Sequence, residues 1–304
     1  MTRDLNLTTP TLLVVAHPDD ECMFFTPTLL SFEKVEVICL TDGGYRGKED
    51  GILRRGEMKR SCEEVFDVEG CHFASIPGVD DTPVSGEWSG KEDKVVELIE
   101  SMVKKLGNGK KAVNIVTFDE GGVSGHCNHC DCSAILQSWF DELPEEEGGS
   151  ESRGSFLSGV RVRLFQLRTV ETYLKYSMHL GYPRLTLPYW VHGASCEFVL
   201  ASKEGMTFAR RGMEMHESQY VWYRRLFVLF SSYVCTNVLV ERRQQGQNYH
   251  SNRGKSVAAL VVIGAMLALN ITGFGLYPNA AFILLTINRY FQWLGGELFR
   301  RNGV

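Results

Sequence analysis

Two short apolar runs in this chain each end in a cluster of histidine and acidic side chains. Residues 11–16 lead into His17-Pro18-Asp19-Asp20-Glu21, and residues 112–117 lead through a glycine-rich loop to His126-Cys127-Asn128-His129. Runs of this length, bounded by turn residues, are typical of buried strands. Open α/β sheets bind ligands at the carboxyl ends of their parallel strands. We therefore expect the two loops to meet at one edge of a parallel sheet.

Along the rest of the sequence, predicted strands alternate with predicted helices, as a parallel sheet requires. Residues 35–40 predict a second buried strand, and residues 160–164 predict a half-exposed strand. Two apolar stripes predict helices, one between residues 53 and 66 and one between residues 95 and 106 with Gly107 as its cap. The first stripe consists of Leu53, Met58, Cys62, Val65 and Phe66. The acidic, glycine-rich text from Glu145 to Ser155 predicts a solvated loop. The fold class expected is α/β, with a Rossmann-like, mostly parallel sheet flanked by helices.

Composition limits the classes of partner and compartment. The chain has 304 residues, 44% hydrophobic content and a net charge of −5, which allows one substantial core plus an appendage and does not favour nucleic-acid binding. Its nine cysteines follow no disulfide-framework spacing. That pattern fits reduced thiols in the cytosol. Residues 1–10 are polar and lack a signal-peptide core.

The two polar loops contain a donor set for a metal ion. They offer the imidazoles of His17, His126 and His129 and the carboxylates of Asp19 and Asp20. Nitrogen and oxygen donors of this kind suit a catalytic Zn²⁺ with three protein ligands and one water. The two side chains left over would be free for proton transfer. The residue types alone leave open which three hold the ion.

Both loops also match a known family. Ala16 to Glu21 and Gly122 to His129 resemble the zinc-dependent de-N-acetylases of the PIG-L/LmbE group. Two further stretches, residues 51–62 and His216 to Arg224, resemble its eukaryotic branch, the N-acetylglucosaminyl-phosphatidylinositol de-N-acetylases of GPI-anchor biosynthesis. The resemblance covers about residues 11 to 240. Cys127 stands where the family usually has proline, and the N-terminal membrane helix usual in eukaryotic members is not predicted here.

The resemblance implies roles for individual residues. His17, Asp20 and His129 would be the ligands of Zn²⁺ or of another divalent metal. Asp19 would be the general base toward the attacking water, and His126 would stabilise the oxyanion or protonate the leaving amine. The expected reaction releases acetate from N-acetylglucosaminyl-phosphatidylinositol and leaves glucosaminyl-phosphatidylinositol, the second step of GPI-anchor biosynthesis.

Four further side chains are predicted to bind the substrate. Arg54 suits a phosphate or sugar because a guanidinium donates a forked pair of hydrogen bonds, although a surface helix residue is an equally good interpretation. Asp80 and Asp81 could accept hydrogen bonds from sugar hydroxyls. His216, which begins the stretch that resembles the eukaryotic branch, is also assigned to substrate binding.

The C-terminal fifth of the chain predicts contact with a membrane. Residues 257–276 are close to the minimum length for crossing a bilayer, and a shorter apolar stretch follows at residues 280–287. They could form a hairpin, a re-entrant segment, a single span, or two buried core helices. Residues 220–234 combine aromatic residues with arginines, a composition suited to the headgroup interface. We therefore expect a de-N-acetylase domain over residues 1–240 and a membrane-associated region over residues 241–304, at the endoplasmic reticulum membrane with the catalytic domain in the cytosol.

Three alternatives remain open from the sequence. Cys127, Cys130 and Cys132 could form a structural zinc or redox module with the histidines, although a second thiol pair is missing. The chain could be a binding protein that keeps the fold without catalysis. Within the enzyme class, it could be a soluble deacetylase of a small N-acetylglucosaminyl conjugate. The sequence predicts a glycolipid substrate and a membrane as partners, and it predicts no particular protein partner.

Overall fold

The computed structural model describes residues 5–84, 86–148, 152–176 and 197–243, which form a nine-stranded sheet with helices packed against it. The strands are β1 (Thr11–Val15), β2 (Val35–Cys39), β3 (Gly70–Phe73), β4 (Ala112–Phe118), β5 (Glu145–Gly148), β6 (Ser152–Leu157), β7 (Val160–Leu167), β8 (Glu197–Ala201) and β9 (Thr236–Glu241). The helices are α1 (Asp20–Phe24), α2 (Thr26–Ser31), α3 (Lys48–Arg60), α4 (Glu92–Leu106), α5 (Gly122–Gly125), α6 (Cys127–Glu142), α7 (Thr172–Lys175), α8 (Gly205–Met215) and α9 (Trp222–Phe230). A π-helical turn (Ser61–Val65) continues α3, and a 3₁₀ turn (Ser232–Val234) precedes β9.

The sheet is parallel on one side and antiparallel on the other. Its order is β3-β2-β1-β4-β7-β6-β5, with β9 paired to β7 and β8 paired to β9. Strands β3, β2, β1, β4 and β7 run parallel, whereas β5, β6, β8 and β9 join by antiparallel pairs. The α/β class is confirmed, but the sheet is mixed rather than mostly parallel.

A tight turn accounts for part of the antiparallel side. Ser158 and Gly159 link β6 to β7, and both have positive φ, 52° and 78°. A two-residue link of this kind closes a hairpin, because parallel strands need a crossover of about a dozen residues or more.

The predicted buried strands are confirmed at β1, β2 and β4. Every residue of β1 and β2 is buried, and only Ala112 of β4 is not. Parallel strands covered by helices on both faces need apolar side chains on both sides, so their sequences are continuously apolar. The alternation seen at residues 160–164 is confirmed at the start of β7, where buried and partly buried residues alternate.

The prediction of a solvated loop from Glu145 to Ser155 is wrong for the described residues. Glu145–Gly148 pairs antiparallel with Ser152–Ser155, so this text forms strands β5 and β6 at the sheet edge. Charged residues suit an edge strand, because they discourage pairing with other chains. Composition typical of a loop is therefore also the composition of a protected edge.

The helix predicted between residues 53 and 66 is observed, but the prediction that Leu53 belongs to its buried face is wrong. Met58, Cys62, Val65 and Phe66 are buried, whereas Leu53 is 50% exposed and Arg54 is only 6% exposed. A charged side chain takes the core-facing position because two loops supply its hydrogen-bond partners. The second predicted helix is confirmed as α4, which ends at Leu106 beside Gly107.

The C-terminal predictions fall on residues that the structure does not describe. The chain divides into a compact unit over residues 1–247 and a second unit over residues 248–304. The apolar stretches at 257–276 and 280–287 belong to the second unit, so their membrane association and the boundary near residue 240 stay predictions. Within the described ranges, no helix is both long enough and apolar enough to span a bilayer.

Candidate active site

The two polar loops meet where the strand order of the sheet reverses. From β1 the chain moves outward to β2 and β3, and it then returns to pair β4 with the other side of β1. Such a reversal leaves a crevice beyond the carboxyl ends of the two central strands. His17 to Asp20 follow β1 and His129 follows the loop after β4, so both predicted loops lie at this crevice.

Three side chains converge there. His17 Nδ1 lies 3.2 Å from His129 Nε2. The Asp20 carboxylate lies against both rings, with Oδ2 3.4 Å from His17 Nδ1 and Oδ1 3.2 Å from His129 Nε2. All three residues are buried. Two imidazole nitrogens and one carboxylate therefore face a common point.

These separations fit a tetrahedral metal ion. Ligand atoms about 2.0–2.2 Å from Zn²⁺ in tetrahedral geometry lie roughly 3.3–3.6 Å from one another. The His17 Nδ1–His129 Nε2 separation of 3.2 Å is close to this spacing, and Asp20 approaches the two rings with different oxygens, Oδ2 at 3.4 Å from His17 and Oδ1 at 3.2 Å from His129. A second set, the imidazoles of His17, His126 and His129, has its nitrogens within 4.8 Å of one another. Asp20 is buried beside both rings whereas His126 is exposed, and the choice of Asp20 as the third ligand stays a prediction.

Contacts behind the rings orient the two histidines. His129 Nδ1 lies 3.1 Å from the Gly122 carbonyl oxygen, to which its N–H can donate. In that tautomer Nε2 carries the lone pair that could bind a metal. His17 Nε2 lies 3.4 Å from Asp81 Oδ1, which leaves His17 Nδ1 facing Asp20. A carboxylate or carbonyl behind a ligating imidazole is the usual arrangement at metal sites.

The loop after β4 needs its glycine to bring His129 into place. Gly122 has φ +52°, and a Cβ there would lie 2.8 Å from Cys130 Sγ and 3.0 Å from His129 Cβ. Val123 also has positive φ, 64°, which is unusual for a β-branched residue. The Val123 amide donates to Thr169 Oγ1 at 2.8 Å, and Lys175 Nζ donates to the Val123 carbonyl at 3.3 Å. These contacts hold the strained turn.

Asp19 lies next to this cluster and is held by two arginines. Its Oδ2 accepts a 2.5 Å hydrogen bond from Arg224 Nη1 and lies 3.5 Å from Arg54 Nη2. Arg224 is itself held, since its Nη1 also donates to Gln219 Oε1 at 2.8 Å. The carboxylate of Asp19 is thereby fixed in one orientation beside the three converging side chains.

The electrostatics of the cluster favour positive charge. Burial disfavours the charged imidazole of His17, but Asp20 and Asp81 outweigh it and raise the pKa of His17 to about 10. Burial likewise opposes the Asp20 carboxylate, yet His129 and His17 hold the pKa of Asp20 well below its usual value. Burial, together with repulsion from His17 and His129, lowers the pKa of His126 to about 4. The same carboxylates would attract a metal cation.

Comparisons with known proteins identify the family of this chain. The PIG-L family model, described as GlcNAc-PI de-N-acetylase, matches residues 12–140. A Bos taurus protein named N-acetylglucosaminyl-phosphatidylinositol de-N-acetylase is 34% identical over 240 residues, covering 75% of this chain and 82% of that protein. The chain belongs to the PIG-L de-N-acetylase family. A Dictyostelium discoideum member, named as a probable enzyme of the same kind, is 30% identical over 247 residues, covering 76% of this chain and 92% of that protein.

Among solved structures, similarity is weaker. The A40926 pseudoaglycone deacetylase Dbv21 aligns with a TM-score of 0.47 at 13% identity, covering 77% of this chain and 98% of that chain. Membership of the PIG-L family rests on the sequence relatives. It makes this chain a hydrolase of a metal-dependent family.

The PIG-L site contains Arg54, which is not a surface residue. Arg54 Nη1 donates to the Gly43 carbonyl and Nη2 to the Pro18 carbonyl, each at 2.8 Å. Arg54 Nη1 also lies 3.5 Å from Asp81 Oδ2. Arg54 therefore connects the loop after β1 with the loops that carry Gly43 and Asp81. Its direct contact with substrate stays a prediction.

Asp80 and Asp81, both predicted to bind the substrate, differ in their surroundings. Asp81 points into the cluster, against His17 and Arg54. Asp80 is exposed, and its backbone carbonyl accepts from Trp88 Nε1 and Asn128 Nδ2. The contact of either carboxylate with a sugar stays a prediction. The position of Asp81 behind His17 gives it a second role within the protein.

His216 is placed beneath the site, where it cannot meet a substrate from solvent. Its side chain is 0% exposed, and Nε2 lies 2.6 Å from Glu21 Oε1. The assignment of His216 to substrate binding is therefore corrected. Ser218 and Gln219 of the same stretch hold Glu57 and Arg224, so the stretch orders the back of the site.

The sequence interpretation missed Arg224 and Glu21 as site residues. Arg224 was noted as the end of the stretch that resembles the eukaryotic branch and for its place in an aromatic segment, but it was given no role in the site, and it lies 205 positions from Asp19. No local pattern signals a contact over that separation. Glu21 did carry a signal, because it directly follows Asp20 in the polar loop.

The cysteine-based zinc module is not supported. Among the described residues, no group of clustered ligand atoms contains Cys127, Cys130 or Cys132, and Cys127 Sγ donates instead to the Pro83 carbonyl. The eight cysteines in the described ranges are all free.

Proposed function

We propose that this protein hydrolyses the N-acetyl group of N-acetylglucosaminyl-phosphatidylinositol to glucosaminyl-phosphatidylinositol and acetate, the second step of GPI-anchor biosynthesis. The names of its relatives specify this substrate. The observation that carries the proposal is the convergence of His17, Asp20 and His129 within 3.2–3.4 Å, with Asp19 beside them.

His17, Asp20 and His129 would hold a divalent ion, which we assign as Zn²⁺ from the nitrogen and oxygen donor set. When bound, such an ion supplies Lewis acidity and makes water a nucleophile near neutral pH. Asp81 and the Gly122 carbonyl orient the two imidazoles for this task. Those contacts keep the ligand nitrogens aimed at one point.

Asp19 is the proposed general base. Its carboxylate takes a proton from the attacking water as the water oxygen forms a bond with the acetamide carbonyl carbon. Arg224 and Arg54 fix the carboxylate, so that little reorganisation is needed during proton transfer.

His126 is proposed to act on the opposite side of the amide. It is exposed at the mouth of the crevice, and its ring centroid lies 4.6 Å from that of His17. From there its N–H can donate to the oxyanion that develops on the carbonyl oxygen. The carbon–nitrogen bond then breaks, the proton taken by Asp19 reaches the amine nitrogen, and acetate leaves.

We place the enzyme at the endoplasmic reticulum membrane with its catalytic unit facing the cytosol. A glycolipid substrate stays in the bilayer, so the crevice must reach the headgroups. The free cysteines suit a reducing compartment. We retain the proposal that residues 257–276 and 280–287 associate with the membrane.

Helix α9 offers a membrane-facing surface beside the crevice. Six large apolar side chains in or directly before this helix are 39–72% exposed: Val221, Trp222, Tyr223, Leu226, Leu229 and Phe230. With 3.6 residues per turn, the five within the helix occupy about 120° of its circumference, opposite the buried Phe227 and Val228. A surface helix normally has a polar outer face. Aromatic and aliphatic side chains with the exposed Arg225 at their edge suit the headgroup region.

The reaction and its location can be tested together in intact microsomes that contain the full chain. We expect conversion of N-acetylglucosaminyl-phosphatidylinositol to its glucosaminyl product, loss of conversion with a metal chelator, and recovery on adding Zn²⁺. External protease should abolish activity without detergent. Conversion that persists under exhaustive chelation argues against metal dependence. Hydrolysis restricted to water-soluble N-acetylglucosaminyl conjugates would support the small-conjugate alternative instead.

The α9 surface can be tested with vesicles of phosphatidylcholine and phosphatidylinositol. Leu226→Glu should weaken co-sedimentation of the full chain about tenfold or more, because burial of one leucine contributes about 1.5–3 kcal/mol. Ser138→Glu is the control, since Ser138 is exposed on α6 and the variant adds the same charge without removing apolar surface. Equal binding by both variants would mean that α9 adds nothing measurable to the anchoring proposed for residues 257–276 and 280–287.

A further inference from the structure

We infer that Glu21 and His216 are positioning residues that hold the backbone of Asp19 in its working conformation from beneath the site. The inference rests on the proposed role of Asp19 as base. Both side chains lack solvent exposure, so neither contacts the substrate. They would act on the reaction through the residue that contacts the attacking water.

The backbone of Asp19 needs an external restraint. Asp19 has φ 115° and ψ −17°, in the half of conformational space that residues other than glycine rarely occupy. A conformation of this kind costs about 1–3 kcal/mol and persists only where surrounding contacts impose it. In this conformation the Asp19 carboxylate accepts from Arg224 Nη1.

Glu21 supplies the restraint. The backbone N–H of Asp19 donates to Glu21 Oε2 at 3.0 Å, across only two residues. The other oxygen, Oε1, accepts from Ser61 Oγ at 2.8 Å and faces His216 Nε2 at 2.6 Å. Two side chains thus hold Oε1 of Glu21, and Oε2 accepts the hydrogen bond from the backbone of Asp19.

Two distant parts of the chain hold the Glu21 carboxylate. Ser61 lies in the π-helical turn after α3, and His216 directly follows α8. Helix α8 packs closely on α1, because Gly212 has no side chain: a Cβ there would lie 2.6 Å from Cys22 Cβ. The close packing lets His216 reach Glu21, and packed elements hold side chains more firmly than loops do.

The pair is an ion pair rather than a second metal site. Burial opposes charge on both groups, but each partner favours the charged form of the other, so that the pKa of His216 is raised and that of Glu21 is lowered. Cys22 completes a possible trio of donors, yet burial raises the pKa of its thiol well above the usual value. The 2.6 Å contact between Glu21 and His216 is also shorter than the spacing of two ligands around one ion.

Variants at residues 21 and 216 test the inference. Glu21→Gln keeps an acceptor for the Asp19 N–H, and its amide can donate to Ser61 and to the imidazole. Its kcat should stay within about threefold of wild type. Glu21→Leu combined with His216→Leu replaces the buried pair by apolar groups, a change that proteins often tolerate. This double variant should fold and keep its metal, with an unchanged KM and a kcat about 100-fold lower, since small misplacement of a reacting group has effects of this size.

Ser61→Ala provides a second measurement that does not depend on folding of the double variant. It removes one of the two donors to Glu21 and should lower kcat about three- to tenfold, with full metal content and unchanged KM. Wild-type kcat in the double variant or in Ser61→Ala would overturn the positioning role. So would loss of metal in the double variant, or equal losses in Glu21→Gln and the double variant.

Asp19→Asn, assayed in parallel, separates this inference from the proposed function. If Asp19→Asn is inactive while the Glu21 and Ser61 variants turn over normally, only the positioning role fails. If Asp19→Asn is fully active, the proposed base itself is wrong.

Discussion

His17→Ala and His129→Ala should each lose bound metal and de-N-acetylase activity together. The nitrogens of the two rings lie 3.2 Å apart and share the Asp20 carboxylate, so removal of either ring leaves two of the three proposed ligands. Two ligands do not hold a catalytic Zn²⁺, which usually has three protein ligands. We expect less than about a tenth of an equivalent of metal by plasma mass spectrometry after dialysis, and turnover below detection.

Asp20→Asn and His126→Ala decide between the two possible ligand sets. If Asp20 is the third ligand, Asp20→Asn should lose metal, while His126→Ala should keep metal and lose most of its turnover. The reverse result would assign the ion to the three imidazoles of His17, His126 and His129. Full metal occupancy in both His17→Ala and His129→Ala would contradict the site altogether.

Asp19→Asn should lose two to four powers of ten in kcat while it retains one equivalent of metal. An amide oxygen keeps the size of the carboxylate and can still accept from Arg224, but it does not take a proton from water. Positioned general bases typically contribute about 10²- to 10⁴-fold to the rate. The measurement is steady-state turnover at saturating substrate, together with metal content.

Asp93→Asn is the matched control for Asp19→Asn. Asp93 is exposed in the first turn of α4, so that Asp93→Asn makes the same carboxylate-to-amide change away from the crevice. It should leave kcat unchanged. Turnover near wild type in Asp19→Asn would remove Asp19 from the mechanism, and loss of metal in that variant would make it a ligand instead.

Much of the fold could be predicted from local sequence, because the central strands are short and continuously apolar. Residues 11–16, 35–40 and 112–117 all form the predicted strands. The text at residues 145–155 could not be assigned in the same way, since acidic and glycine-rich residues occur both in loops and in edge strands. Whether such text pairs depends on a neighbouring strand, and here that strand is provided by the hairpin with β7.

For the candidate site, too, local sequence predicted some features and tertiary packing decided the others. The sequence by itself predicted that the two polar loops, which carry His17, Asp20, His126 and His129, would meet, because loops after parallel strands share one edge of the sheet; the choice of ligands among them was implied only by the family resemblance. It also placed Asp19 beside them, through adjacency in the chain. Both conclusions depend only on strand direction and local order.

Only the tertiary structure decided what surrounds these residues. It placed Arg54 in the interior, brought Arg224 onto Asp19, and moved His216 from the substrate side to a buried contact with Glu21. Each contact joins parts of the chain that are 36 to 205 residues apart. Buried charges and left-handed backbone are stable only where distant elements provide partners, and that pairing is a property of packing rather than of local pattern.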